Sequence, residues 1–324
     1  MGKLKIGFYW AASCGGCEIA VLDLNEKILG VLDVADIVFW PVAMDIKYKD
    51  VEAMPDGFMD ICFFNGAIRT EEQESLAKLL RRKAKTLIAF GACAYTGGIP
   101  GLANVADSKE ILEQIYLQSP STLNPDMLVP ETEVSVHESS LTLPKLYDTV
   151  MTLDQVVDVD YYLPGCPPTT NLIEDAVRAI VEGNLPSKGS VLAPLKSVCD
   201  ECPRNKEEKR ITAIRRVIDL EPDTEKCLLE QGIICMGPAT RGGCGTPCLK
   251  ANMPCTGCGG PCPNVAEQGA AMLSSLASLL AAEKERDRDY DPEKLMAEIK
   301  DPVGLFYRYS LPASIIKRRV RRRI

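Results

Sequence analysis

Cysteine is the residue type of this 324-residue chain best suited to chemistry: there are fourteen, and most fall into two groups by spacing. The first group is Cys14, Cys17, Cys93 and Cys166. Cys14-Gly15-Gly16-Cys17 follows an apolar run, residues 5–10, that reads as a first strand, and precedes residues 18–22, which read as a helix start. Cys93 follows the apolar run 86–90, and Cys166 follows the run 159–163. In a parallel α/β sheet the loops at the carboxyl ends of the strands share one edge, where ligands bind. Three strand ends would thus deliver four thiolates to one point, which suits either a zinc ion or an iron–sulfur cluster.

The second group is Cys199, Cys202, Cys227, Cys235, Cys244, Cys248, Cys255, Cys258 and Cys262, nine cysteines in a stretch whose later part is dense in Gly and Pro. A zinc ribbon wants two CxxC pairs about 15–20 residues apart, and no pair here has that spacing. Cys255-x2-Cys258-x3-Cys262-Pro263 instead resembles the end of a bacterial ferredoxin run. Cys62 lies inside a strand pattern and reads as a buried free thiol. Setting it and one other aside leaves twelve cysteines, enough for three four-thiolate clusters. Repeated clusters make sense as a wire, because iron–sulfur centres pass single electrons whereas zinc has no redox chemistry. The single histidine, His137, excludes a His-rich metal site in this chain and reads as a loop or surface residue.

These thiols need elements to hold them. The first half alternates apolar runs with helical patterns, the signature of βαβ units and an α/β fold. Further strands are expected at 38–41 and 60–64. Thr70 with Gln73 forms a capping-box pattern before a helix whose Leu76, Leu79 and Leu80 share a face. After Cys166, Asn171 is the expected cap, with Glu174 three residues on and a core stripe of Leu172, Ala176, Val177, Ile180 and Val181. Gly97-Gly98-Ile99-Pro100-Gly101 lacks the Lys-Ser/Thr ending of a P-loop, so close backbone approach to a cluster or partner is the better reading. Residues 118–158 look like a surface excursion, and 189–196 like a linker. The cysteine-dense stretch has little apolar material of its own, and metal ligation would supply its cross-links. An amphipathic helix follows from Val265 to Leu280, then a charged run at 283–289 read as a solvated face. Lys317 to Arg323 form a basic tail, either solvated or docking an acidic partner surface.

Composition narrows the class. With 46% apolar and 25% charged residues the chain reads as soluble and globular, and a net charge of −8 argues against nucleic acid. Many cysteines in a long chain with CxxC pairs and no signal peptide ahead of the first strand point to metal in a reducing, cytoplasmic setting. No apolar run approaches the roughly 18 residues of a membrane span. Ile6 stands where a myristoylation signal after Gly2 would want Ser or Thr.

Ser13-Cys14-Gly15-Gly16-Cys17-Glu18, Gly91-Ala92-Cys93-Ala94 and Pro164-Gly165-Cys166-Pro167-Pro168 resemble the proximal-cluster motifs of [NiFe]-hydrogenase small subunits. Cys227 to Gly232, Cys235-Met236-Gly237-Pro238, Cys244 and Pro254-Cys255-Thr256-Gly257-Cys258 resemble the same family's electron-transfer region. The likeness runs to about residue 263 and is greatest to the cytoplasmic methyl-viologen-reducing, deazaflavin-coenzyme-non-reducing group. It implies a flavodoxin-like parallel-sheet domain at 1–190 with the proximal cluster, a loop-rich cluster-binding region at 191–263, and a helix and basic tail at 264–324. Carried over by position, Cys14, Cys17, Cys93 and Cys166 would hold a proximal [4Fe–4S] cluster. Cys244, Cys248, Cys255 and Cys258 would hold a medial one, and Cys199, Cys202, Cys227 and Cys235 a distal one.

Four departures from the periplasmic members stand out: Cys199 replaces a histidine ligand, the gap from Cys227 to Cys235 is longer, Cys248 replaces a proline that leaves a [3Fe–4S] cluster, and Asn65 stands where Glu is usual. Cys262 is the spare, and an exchange with a neighbouring medial ligand stays open. The resemblance makes the chain the electron-transferring subunit of a hydrogenase complex, an oxidoreductase acting on H2. Its partners would be a large subunit carrying the nickel–iron site and a downstream acceptor, either a small iron–sulfur protein or a flavin disulfide reductase. Glu18 could relay protons at the subunit interface, or could simply be a carboxylate favoured by a helix N-terminus. Two rivals remain: a quinone-oxidoreductase-like iron–sulfur subunit, which would carry an adjacent Cys-Cys pair absent here, and a zinc-binding scaffold module.

Overall fold

The structure is a computed structural model describing residues 2–137, 139–207, 211–286 and 290–319, the side chains of 281–286 excepted. In chain order the first region runs β1 (Leu4–Trp10), α1 (Gly16–Leu22), α2 (Lys27–Val34), β2 (Ala35–Phe39), α3 (Tyr48–Ala53), β3 (Met59–Asn65), β4 (Ile68–Thr70) and α4 (Glu71–Lys83). It continues with β5 (Ala84–Phe90), α5 (Ala92–Thr96), α6 (Ser108–Glu113), β6 (Glu133–Val136), β7 (Ser139–Thr142), β8 (Leu146–Met151), β9 (Tyr161–Leu163) and α7 (Thr170–Val181). Five of the strands form one parallel sheet in the order β2-β1-β3-β5-β9. Counted along the chain this is 2-1-3-4-5, the flavodoxin-like order. The α/β, flavodoxin-like expectation therefore holds.

Apolar side chains on both faces explain why these strands read as unbroken apolar runs. Ile6, Phe8, Ile61, Phe63, Ile88, Phe90 and Leu163 share one face with α1 and α7. Tyr9, Cys62, Phe64, Leu87 and Ala89 share the other with Leu76, Leu79 and Leu80 of α4. Thr70 caps α4 as expected: Gln73 N–H donates to its hydroxyl at 3.3 Å, and Gln73 Oε1 accepts from Thr70 N–H at 3.1 Å. Cys62 is fully buried, and that burial pushes its thiol up to about 12. Only about one part in ten thousand is then thiolate at pH 8, and the thiolate is the nucleophile. The folded protein should leave Cys62 unmodified by iodoacetamide at pH 8, while the urea-unfolded chain is labelled there; peptide mapping checks both.

Four expectations change. Asn171 is not the cap of α7; Thr169 is, and Asn171 Nδ2 instead donates to Gly243 O at 2.8 Å, tying this helix to the second region. The strand expected at 38–41 ends at Phe39, which frees Trp40 to turn inward. The segment 189–196 is no free linker, since Tyr162 N–H donates to Ser190 O at 3.1 Å and Leu192 N–H to Tyr162 O at 2.7 Å, extending the sheet edge. The excursion at 118–158 holds the antiparallel hairpin β6–β7, exposed throughout, and β8, which pairs with β4.

The second region carries α8 (Pro247–Lys250), α9 (Gln268–Arg286), α10 (Pro292–Ala297) and α11 (Pro302–Phe306). Met272, Leu276 and Leu280 of α9 bury their side chains against Leu228, Ile233, Met236, Phe306 and Leu311. The cysteine loops thus borrow apolar surface from the C-terminal helices, each buried Leu or Met contributing about 1.5–3 kcal/mol. The amphipathic helix begins at Gln268 rather than Val265. The charged run 283–289 lies outside the described side chains and residues. Of the basic tail, 320–323 also lie outside. Its described beginning is seated on the first region: Arg319 N–H donates to Asn104 O at 2.8 Å and Arg318 to Thr149 Oγ1 at 2.6 Å. His137 is exposed. Among the described residues no helix is long and apolar enough to cross a membrane.

Candidate metal centre

β1, β5 and β9 end on the same sheet edge, and the cysteines follow them directly. Cys14 and Cys17 flank the start of α1, Cys93 lies in the first turn of α5, and Cys166 follows β9. Their thiols sense one another. Burial, then the neighbouring Cys93, Cys166 and Cys14, push the Cys17 thiol up, and burial with Cys166 and Cys14 pushes Cys93 to about 12. Two glycines keep the space beside them. A Cβ on Gly91 would collide with Cys17 Sγ, and one on Gly98 would meet Cys93 Sγ at 2.5 Å, with φ +85° and +56°. The glycine-rich loop after Cys93 is therefore a close backbone approach to a thiol.

Eight of the remaining cysteines also lie close enough to affect one another. Cys199 is pushed to about 12 by burial, then by Cys235, Cys227 and Cys202, while Lys206 opposes the rise. Cys258 is pushed to about 12 by burial, with Cys244, Cys166 and Cys248 adding to it, and burial followed by Cys235 and Cys258 raises Cys255. Cys166 and Cys258 line one cavity, and Cys255 N–H donates to Cys235 Sγ at 3.4 Å. Cys262 stands apart: its thiol donates to Pro238 O at 3.3 Å, and its charged neighbours are Arg241 and Asp200 rather than another cysteine.

Glu18, in the first turn of α1, is buried at 3% exposure rather than lying on the surface. Trp40 Nε1–H donates to its Oε2, while Oε1 has no hydrogen-bond partner. Burial raises its pKa; the Trp40 bond and the nearby Asn65 amide oppose that rise. Asn65 is itself fully buried, and neither its Oδ1 nor its Nδ2 reaches hydrogen-bond geometry.

The donor chemistry and the space fit iron–sulfur clusters better than single ions. A tetrahedral zinc with Zn–S bonds of about 2.3 Å draws its sulfurs to within about 4 Å of one another. Among the described residues no three His, Cys, Asp or Glu side chains converge as ligands of one ion. Between the Cys166 loop and the second region lies a cavity of about 350 Å³, lined by Cys166, Cys244, Cys248, Cys255 and Cys258. Arg241, buried with Nε unpartnered, joins the same wall and offers positive charge to an anionic group.

Sequence reading missed the residues that hold these loops. Glu201 accepts from Gly243 N–H at 3.0 Å and Gly245 N–H at 3.2 Å, pairs with Lys196 at 3.0 Å, and receives the Cys244 thiol at 3.7 Å. It ties the Cys199–Cys202 turn to the Cys244 loop. Arg204 does the same for the loops of Cys227 and Cys248. The available signal was a pair of charged residues, Glu201 and Arg204, placed in and just after a CxxC in a region short of apolar residues.

Residues 14–180 match the family described as NADH ubiquinone oxidoreductase, 20 Kd subunit. The F420-non-reducing hydrogenase iron-sulfur subunit of Archaeoglobus profundus is 42% identical over 323 residues, covering 98% of this chain and 99% of its own. The F420-non-reducing hydrogenase relative from Methanothermobacter thermautotrophicus is 37% identical over 323 residues, 99% of this chain and 98% of its own. Among solved structures, an NAD+-reducing [NiFe]-hydrogenase in the H2-reduced state is 30% identical, covering 57% of this chain and 94% of that one, with a TM-score of 0.49. Similarity to the F420-non-reducing hydrogenases extends through the cysteine-rich region, well past the 20 Kd family match, and so the chain belongs to the [NiFe]-hydrogenase small-subunit family, in its F420-non-reducing branch.

Proposed function

We propose that the chain is the electron-transferring small subunit of a cytoplasmic [NiFe]-hydrogenase, carrying electrons from H2 oxidised in a large-subunit partner to a further accepting partner. Cys14, Cys17, Cys93 and Cys166 would hold a proximal [4Fe–4S] cluster, Cys244, Cys248, Cys255 and Cys258 a medial one, and Cys199, Cys202, Cys227 and Cys235 a distal one. Bound clusters of this kind supply one-electron redox steps. The observations that carry the reading are that Cys166 and Cys258 line one cavity and that Cys255 N–H donates to Cys235 Sγ at 3.4 Å. The three proposed sets would then adjoin in series, which favours a conduit over a scaffold. The first cysteine loop, Ser13 to Glu18, holds no adjacent Cys-Cys pair such as the quinone-linked family carries, which argues against that rival.

The chain's own residues have definable tasks in this reading. Burial of Cys17, Cys93 and Cys255 excludes water from the sulfurs. Their raised pKa values mean that thiols must lose protons on loading, so loading is favoured by rising pH. Burial shifts Glu18 toward its neutral form, and its Oε1 is free to take a proton or a partner's hydrogen bond.

Anaerobic metal analysis tests the proposal. The full chain should carry on the order of twelve irons and no nickel. Stoichiometric zinc, or about four irons, would overturn the three-cluster conduit.

A further inference from the structure

Arg204 is 5% exposed, and no carboxylate pairs with it among the described residues. A guanidinium cannot discharge by deprotonation, so burying it without an anion is costly. The compensation is a fan of acceptors. Nη1 donates to Asp223 O at 2.6 Å and Lys226 O at 2.9 Å; Nη2 donates to Leu249 O at 3.2 Å and Asn252 Oδ1 at 2.5 Å. Nε has no partner. The Asp223 carboxylate accepts from Glu225 N–H and Lys226 N–H within its own turn and forms no ion pair with Arg204, although the Arg204 charge helps to hold its pKa down. Lys226 immediately precedes Cys227, and Leu249 immediately follows Cys248. One buried positive charge thus clasps two loops from two different cysteine sets.

We propose that Arg204 is a positioning residue shared by the Cys199–Cys235 set and the Cys244–Cys258 set, and that its buried charge raises the reduction potential of the clusters held there. The inference rests on the cluster assignment proposed above. A four-thiolate cluster is anionic and gains a further negative charge on accepting an electron, so a nearby buried cation stabilises the reduced state more than the oxidised one. The Cys14–Cys166 set has no loop in the fan, and its potential is the internal control. Neutral carbonyls alone would have satisfied a neutral side chain; the retention of an ionic group where it must be solvated by backbone oxygens is what points to its charge.

EPR-monitored potentiometric titration of the anaerobically purified full chain tests this, with iron content measured alongside. Arg204→Met should lower two of the three midpoint potentials and leave the third unmoved. Arg204→Lys keeps the charge, loses the fan geometry and should restore both toward the original values. Asn252→Asp places a carboxylate directly on the guanidinium at an αL position that Asp tolerates, and should lower the same two potentials without removing Arg204. If Arg204→Met loses its clusters, Asn252→Asp decides. Unshifted potentials at full iron content, a common shift of all three, or loss of clusters in Arg204→Lys would each overturn the charge role. Failure of the underlying assignment is distinguishable, because it appears in the unsubstituted protein as too few irons or too few EPR-active centres.

Discussion

Cys93→Ser or Cys166→Ser is expected to cut H2-dependent reduction of an artificial dye to below about one hundredth in the assembled complex. Changing even the groups that support metal ligands costs on the order of 10–100-fold, and these two are assigned as ligands themselves. Both side chains sit where strands meet the loop edge, Cys93 in the first turn after β5 and Cys166 just past β9. Cys93 Sγ is packed against Gly98, so little room exists for another ligand to take its place. Cys166 matters twice, because it also lines the cavity that Cys258 lines. Hydrogen isotope exchange at the partner's metal should survive in part, which separates loss of the wire from loss of the enzyme. Undiminished dye reduction by an intact complex would refute the assignment.

The second large effect concerns the set nearest the cavity. Cys248→Ala should convert one four-iron cluster into a [3Fe–4S] species, visible by EPR in the oxidised protein, with a raised medial potential. The thiolate leaves together with the iron it holds, so the cluster changes type, and cluster type is one of the quantities that set the potential. Alanine is preferable to proline here, since Cys248→Pro would disfavour the helical conformation of Pro247. Cys262→Ala should leave the EPR spectrum unchanged, because that thiol is turned to Pro238 O. A three-iron signal from Cys262→Ala and none from Cys248→Ala would exchange their roles. With four thiolates at this set, all three potentials should lie closer together than where a three-iron centre interrupts the series.

What the sequence by itself determined is local and periodic. The apolar run ending at Trp10, the Cys14–Cys17 loop opening α1, the Thr70–Gln73 capping box and the burial of Cys62 all depend on neighbours within a few residues or on a repeating pattern. Both faces of the parallel sheet are covered, so its strands declared themselves as unbroken apolar runs, and the CxxC spacings carried the family resemblance. Tertiary structure decided the contacts between distant positions. Asn171 satisfies Gly243, 72 residues away, and so leaves the cap of α7 to Thr169. Residues 190–192 join the sheet edge because Tyr162 offers unpaired backbone groups there. Glu201 reaches the Cys244 loop 42 residues on, and Arg204 reaches Leu249 and Asn252, 45 and 48 residues on. The same holds for Cys262, which spacing alone left interchangeable with the medial cysteines and whose thiol lies against a carbonyl. Hydrogen bonds between loops leave no period in the sequence, and a buried charge is recognisable only once the chain has closed around it.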